Sequence, residues 1–186
     1  MIFHHFRLDV EEVNAYIVAC SEKKEALLVD AGEWMPEMER FLCDGDLRLA
    51  HVFITHDHYD HSGALGEIAQ KYHPKVYAGK DKVGGVAAQR LGHGDTVRVG
   101  TLSGTALATP GHTPEGISLA IPGHVFTGDA LFAGSVGGTG SPALYQQQID
   151  HIRRHIFALP PDTEIHPGHG PASTVRIESG FNPFFV

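Results

Sequence analysis

The chain has 186 residues, 42% of them hydrophobic and 19% charged, which makes one domain spanning residues 1–186 the expectation. With 14 Lys and Arg against 22 Asp and Glu the formal net charge is -8, a balance that argues against a nucleic-acid partner, whose phosphates call for basic surface. No apolar run reaches the roughly 18 residues a membrane span needs, the N-terminal segment MIFHHFRLDV has no signal-peptide character, and Cys20 and Cys43 are too few for a disulfide framework. A small-molecule substrate, no membrane partner and a reducing cytoplasmic setting are therefore expected. The unusual feature is the 14 histidines.

In chain order, the apolar runs Asn14 to Cys20 and Glu25 to Asp30 flank the polar turn Ser21 to Lys24 and predict a hairpin. Trp34, Met38, Phe41 and Leu42 follow at helical spacing, with Pro36 tolerated in a first turn. His51 to Thr55 predicts a buried strand, the polar stretch His56 to Ser62 a loop, and Leu65, Ile68, Ala69 and Tyr72 a helix stopped by Pro74. Short strands are then expected at Val76 to Tyr77, Thr96 to Val99, Thr105 to Thr109, Ile117 to Ile121 and His124 to Thr127. Ser141 as N-cap and Pro142 behind it open a last helix, carried by Ile149, Ile152, Ile156 and Leu159 to Pro160. Two batches of strands, each followed by helices, imply an α/β sandwich.

Residues 56 to 61 read His-Asp-His-Tyr-Asp-His at the exit of a buried strand, where loops tend to carry function. In extended backbone His56 and His58 point the same way and can share a cation, whereas Asp60 and His61 need a turn before both face one. Later apolar runs end in Gly111-His112, Gly128-Asp129 and Gly168-His169, where glycine lets backbone approach closely. Five histidines and two aspartates thus provide eight ligand positions for two four-coordinate ions if one carboxylate bridges, and Asp129 is the candidate bridge.

Together, His56-x-His58-x-Asp60-His61, His112, Asp129 and His169 resemble the ligand set of the metallo-β-lactamase superfamily, and most closely its small glyoxalase II-like hydrolases. The resemblance implies a four-layer αββα sandwich. It also implies one metal on His56, His58 and His112, a second on Asp60, His61 and His169, and Asp129 between them. The activity it implies is a dinuclear metal-dependent hydrolase, an enzyme cleaving a thioester, lactone or similar activated ester with a metal-bridging hydroxide, Asp60 also accepting a proton. The cofactors would be two divalent ions, zinc foremost, with iron or manganese also accepted by His/Asp ligands. An alternative by resemblance is a mononuclear iron persulfide dioxygenase on His56, His112 and Asp129.

Gly138 and Thr139 depart from the basic and aromatic pair usual in glutathione-thioester hydrolases. Asp30 is read either as a cap at a helix start or as a carboxylate orienting a metal-bound imidazole. Gly134 to Gly140 reads as a mobile rim loop, and Tyr145 as a packing residue. Among the other histidines, for which surface or packing roles are the default, His166 stands out by lying three residues before His169.

Overall fold

The segment Asn14–Cys20 is buried at every position. Since alternate side chains of a strand point opposite ways, both faces of its sheet must be covered. The computed structural model, which describes residues 1–186, meets this with two face-to-face sheets and helices outside both. The first half supplies β1 (Ile2–Arg7), β2 (Asn14–Cys20), β3 (Glu25–Val29), β4 (Arg48–Ile54), β5 (Lys75–Ala78), the hairpin of β6 (Lys82–Val83) and β7 (Val86–Ala87), and β8 (Gln89–Arg90). One six-stranded sheet runs β1-β2-β3-β4-β5-β8, with β3, β4 and β5 parallel. The second half supplies β9 (Thr96–Val99), β10 (Leu102–Ala108), β11 (Ile117–Ile121), β12 (His124–Gly128), the hairpin of β13 (Leu131–Phe132) and β14 (Ser135–Val136), β15 (Glu164–Pro167) and β16 (Ser173–Thr174). The other six-stranded sheet runs β16-β15-β12-β11-β10-β9.

Three separate hydrophobic clusters fill the three spaces between four layers. The outer cluster on the first sheet packs Ala15, Ile17, Val52 and Ile54 against Met38 and Leu42 of α1 (Pro36–Asp44). Two short helices follow, α2 (Tyr59–Ser62) and α3 (Leu65–Tyr72), and Leu65 and Ile68 of α3 join that cluster. The central cluster joins Tyr16, Val18, Leu27 and Phe53 to Val97, Leu119 and Phe126 of the facing sheet. Val125 and Ile165 point the other way, onto Ile149 of α4 (Pro142–His151), Ile152 and Ile156 beyond it, and Val175 of α5 (Val175–Phe181). Tyr145 packs against this last cluster, its ring tilted toward that of Phe184, as a packing residue.

Ser141 caps α4 as expected, its side chain accepting from Leu144 N–H, but the helix widens into a π-helical turn at Ile152–Ile156, closed by Phe157 N–H to the Ile152 carbonyl. No helix is long and apolar enough to cross a membrane. Leu119 is fully buried at the centre of the inter-sheet cluster. Leu119→Ala should therefore cost about 2–5 kcal/mol in urea unfolding, against about 0.5 kcal/mol or less for Ile177→Ala on exposed α5.

Candidate metal centre

Strands β10, β12 and β15 run in one direction, because β11 is antiparallel to both β10 and β12 while β15 is parallel to β12. Their carboxyl ends thus reach the same edge, where β4 of the other sheet also ends, tied across by Ile117 N–H to the Thr55 carbonyl at 3.0 Å. His56 leaves β4, His58 stands at the N-cap of α2, and that single helical turn is the bend that brings Asp60 and His61 to one side. His112 follows β10, Asp129 follows β12 and His169 follows β15.

All seven side chains singled out from sequence converge. His56 Nε2 and His112 Nε2 lie 3.0 and 3.2 Å from His58 Nδ1. On the other side, Asp60 Oδ2 lies 3.2 Å from His169 Nε2 and 3.5 Å from His61 Nε2. Asp129 stands between, its Oδ2 3.7 Å from both His112 Nε2 and His169 Nε2 and its Oδ1 3.3 Å from His61 Nε2. Adjacent ligand atoms of a tetrahedral ion with bonds of 2.0 to 2.1 Å are separated by roughly 3.3 to 3.4 Å, so both trios have the dimensions of a coordination shell. One His58 nitrogen cannot complete hydrogen bonds to two neighbouring nitrogens at once, and buried His61 Nε2 and Asp129 Oδ1 have no hydrogen-bond partner. Donors so arranged fit divalent cations.

The outward nitrogens of these imidazoles are fixed by the fold. Asp30 closes β3 with a left-handed φ of 59° and caps no helix, the N-cap of α1 being Met35. Its carboxylate accepts from Thr55 N–H at 2.8 Å, from Thr55 Oγ1 at 2.9 Å and from His61 Nδ1–H at 2.8 Å. The Thr55 hydroxyl in turn accepts from His56 Nδ1 at 3.1 Å, and His112 Nδ1 donates to the Gly138 carbonyl at 2.7 Å. Each of these bonds leaves Nε2 facing the centre. Gly134 to Gly140 is tied down, contrary to its reading as a mobile rim. Beyond the His112 bond, Gln148 Nε2 donates to the Gly137 carbonyl, Asn182 Nδ2 to the Ser135 carbonyl, and Gly134 N–H to Glu178.

Asn14 and Tyr16 were read only as strand residues, yet they hold the His169 loop. Asn14 Nδ2 donates to the Pro167 and Gly170 carbonyls at 3.0 and 2.9 Å, and Tyr16 Oη to the Pro167 carbonyl at 2.7 Å. Burial pushes the Tyr16 phenol up, which keeps it a donor. An isolated polar residue opening an apolar strand was the available signal for Asn14. Beside His169 lies a cavity of about 310 Å³ walled by polar groups, among them His5, Arg7, Glu12 and Asn14. The larger cavity of about 450 Å³ lies elsewhere, by Lys23, Cys43 and Arg48, where no ligand cluster stands.

Charge in the metal-free centre is unevenly placed. Burial, reinforced by His61, holds the His56 imidazole down at about 2, hence neutral. Burial also opposes the charged forms of His61 and Asp129, but their mutual contact prevails. Asp30 and Asp129 raise His61 to about 10, and His61 holds Asp129 at about 2.

A family model, the metallo-beta-lactamase superfamily, matches residues 8–169. The chain belongs to that superfamily and has its fold. A probable metallo-hydrolase of Streptococcus pyogenes is 31% identical, over 86% of this chain and 80% of its own length. A hydroxyacylglutathione hydrolase of Bradyrhizobium is 38% identical over 76% of this chain, which spans 56% of that relative. The crystal structure of ETHE1 from Myxococcus xanthus superposes with a TM-score of 0.88 at 32% identity, covering 98% of this chain and 84% of that one. These relationships and the His/Asp cluster place the chain in a superfamily of metallo-hydrolases.

Two outcomes follow. Asp30→Asn presents an amide to His61 Nδ1–H, so cation affinity should fall about 10- to 100-fold, read by competition with a fluorescent zinc chelator. Because His61 is protonated below about pH 10 without metal, a cation on its Nε2 must displace that proton. Zinc affinity at that trio should then rise by up to about tenfold per pH unit between pH 6 and 8. Calorimetry in buffers of different ionisation enthalpy should record about one proton released at that trio; none released would contradict this assignment.

Proposed function

We propose that the protein is a dinuclear metal-dependent hydrolase acting on a small-molecule thioester, lactone or similar activated ester. In this reading His56, His58 and His112 hold one cation, Asp60, His61 and His169 hold the other, and Asp129 bridges. The observation that carries it is the convergence of these seven donors from four strand ends, with the buried His61 Nε2 and Asp129 Oδ1 meeting each other at 3.3 Å and no hydrogen-bond partner outside the seven. Zinc suits the imidazole and carboxylate set, which also accepts iron or manganese. When bound, such a pair supplies Lewis acidity, lowering the pKa of water from about 15.7 toward about 7 and polarising a carbonyl.

The protein groups have defined tasks. Asp30 and Thr55 keep His61 and His56 in the tautomers whose Nε2 lone pairs face the centre. Asp60, less enclosed than Asp129, is the proton acceptor through the carboxylate oxygen that does not hold the cation. That cavity receives the polar part of the substrate, with Arg7, though ion-paired to Glu12, as the nearest cation in its wall. The Bradyrhizobium relative supports a thioester. Gly138 and Thr139 offer no cation for a glutathione carboxylate, so glutathione itself is left out of the assignment.

Against a panel of small thioesters and lactones, turnover should vanish on chelation and return with zinc, and activity persisting in metal-free protein would refute the reading. Asp60→Asn, reloaded with zinc, should slow kcat by about 10²–10⁴-fold. The competing reading, a mononuclear iron oxygenase on His56, His112 and Asp129, draws on the 3.7 Å approach of His112 Nε2 to Asp129 Oδ2. One iron per chain together with oxygen uptake on a glutathione persulfide would establish it instead.

A further inference from the structure

A second group of ligating side chains lies at the opposite end of β12. His124 opens that strand and Glu164 opens the parallel β15 as its register partner; His166 pairs with Phe126 two residues further on. Residues two apart share a face, so His124, Phe126, Glu164 and His166 all project into the space between the sheets, while Val125 and Ile165 face the helices. Asp129 lies five positions beyond His124 and His169 three beyond His166, about 16 and about 10 Å along a strand, so this group is separate from the centre described above.

The distances define a triangle. His124 Nδ1 and His166 Nε2 face each other at 2.9 Å, and Glu164 Oε2 lies 3.5 Å from the first and 3.6 Å from the second. The carboxylate is too far from either nitrogen for a good hydrogen bond. All three edges bracket the roughly 3.3 to 3.4 Å between ligands of a tetrahedral ion with bonds of 2.0 to 2.1 Å. Phe3 fixes both rings, its centroid 5.3 Å from that of His124 and 4.8 Å from that of His166, and Tyr16 and Phe126 wall the other sides of His166. His166 is buried while Glu164 is 55% exposed, so the open side of the triangle faces solvent.

We propose that His124, Glu164 and His166 form a separate binding site for a divalent transition cation, with solvent completing its shell. Its place in the fold gives it a structural task. The cation would clamp the amino-terminal ends of β12 and β15, whose carboxyl ends carry Asp129 and His169, and β1 would cover the clamp through Phe3. The assignment is independent of the hydrolase reading.

Zinc alone is the probe, with bound metal measured by mass spectrometry after equilibrium dialysis of the intact chain. Wild-type protein should hold one zinc equivalent more than Glu164→Gln and His124→Ala, with esterase turnover unchanged within about twofold. Glu164→Gln is at a surface position and guards against a folding defect in His124→Ala. With cobalt in place of zinc, the visible spectrum of the additional equivalent should disappear in both variants and persist in His112→Ala. Equal zinc content in wild type and both variants would overturn the site. Failure of the dinuclear reading is distinguishable, because it would lower the total zinc held by wild type and by both variants alike and leave the one-equivalent difference between them unchanged.

Discussion

The site rests on one buried carboxylate. Asp30 lies buried at the end of β3, against Thr55 at the end of β4 and His61 of α2, and a carboxylate there is tolerated only if its lone pairs are answered. Thr55 N–H, Thr55 Oγ1 and His61 Nδ1 answer them. The same bonds that make Asp30 tolerable in the interior determine where His61 and, through the Thr55 hydroxyl, His56 point. Folding of the first sheet thereby orients both imidazoles, since the bonds that satisfy Asp30 align His61 directly and set the Thr55 hydroxyl that His56 meets.

A steric constraint acts beside the electrostatic one. Strand ends from two sheets and a helical turn crowd a single edge, and backbone must pass where no side chain fits. A Cβ on Gly168 would fall 2.2 Å from Asp129 Oδ1 and 2.6 Å from His61 Cε1, and one on Gly32 would fall 1.6 Å from the Asp60 carbonyl oxygen. The first contact shows why glycine precedes His169: the chain carrying one ligand brushes past the carboxylate that stands between the two trios. The second shows that α2 is pressed against the segment after Asp30, held there by Ala31 N–H to the His61 carbonyl at 2.7 Å.

The strands of the central layers were legible because both their faces are buried, which writes continuous apolar runs such as Asn14 to Cys20 and Ile117 to Ile121. The converging donors were legible because imidazole and carboxylate beside glycine at strand ends have few other uses. What escaped detection has physical reasons. β1 carries His4, His5 and Arg7, and an edge strand with one exposed face lacks the apolar run of its neighbours. α5 buries Val175 and Glu178 but exposes Ile177 and Phe181, so its pattern inverts the usual amphipathic stripe. Glu178 is buried because it accepts from Ser173 Oγ and Asn182 Nδ2 nearby and from the distant Gly134 N–H. The apparent freedom of Gly134 to Gly140 disappeared for the same reason, since its anchors come from α4, from α5 and from His112.

Conserving the chemistry while varying the substrate is natural for this arrangement. The seven donors sit on strand ends or in the helical turn after β4, where backbone pairing and buried carboxylates leave little play. The walls of the adjoining cavity come from elsewhere, from β1 and the turn after it, with His5, Arg7 and Glu12, and from the segment after His169. Changes in those walls need not disturb Asp30, Thr55 or Gly168. Arg7 illustrates the separation: its partner Glu12 lies on the same exposed surface, so the pair can be rearranged at a cost no larger than that of an ordinary surface ion pair, while its loss would recast the charge met by an incoming substrate. On the proposed function, substrate choice would then be set largely by exposed groups such as Arg7 and Glu12, and the reaction by groups the fold cannot release.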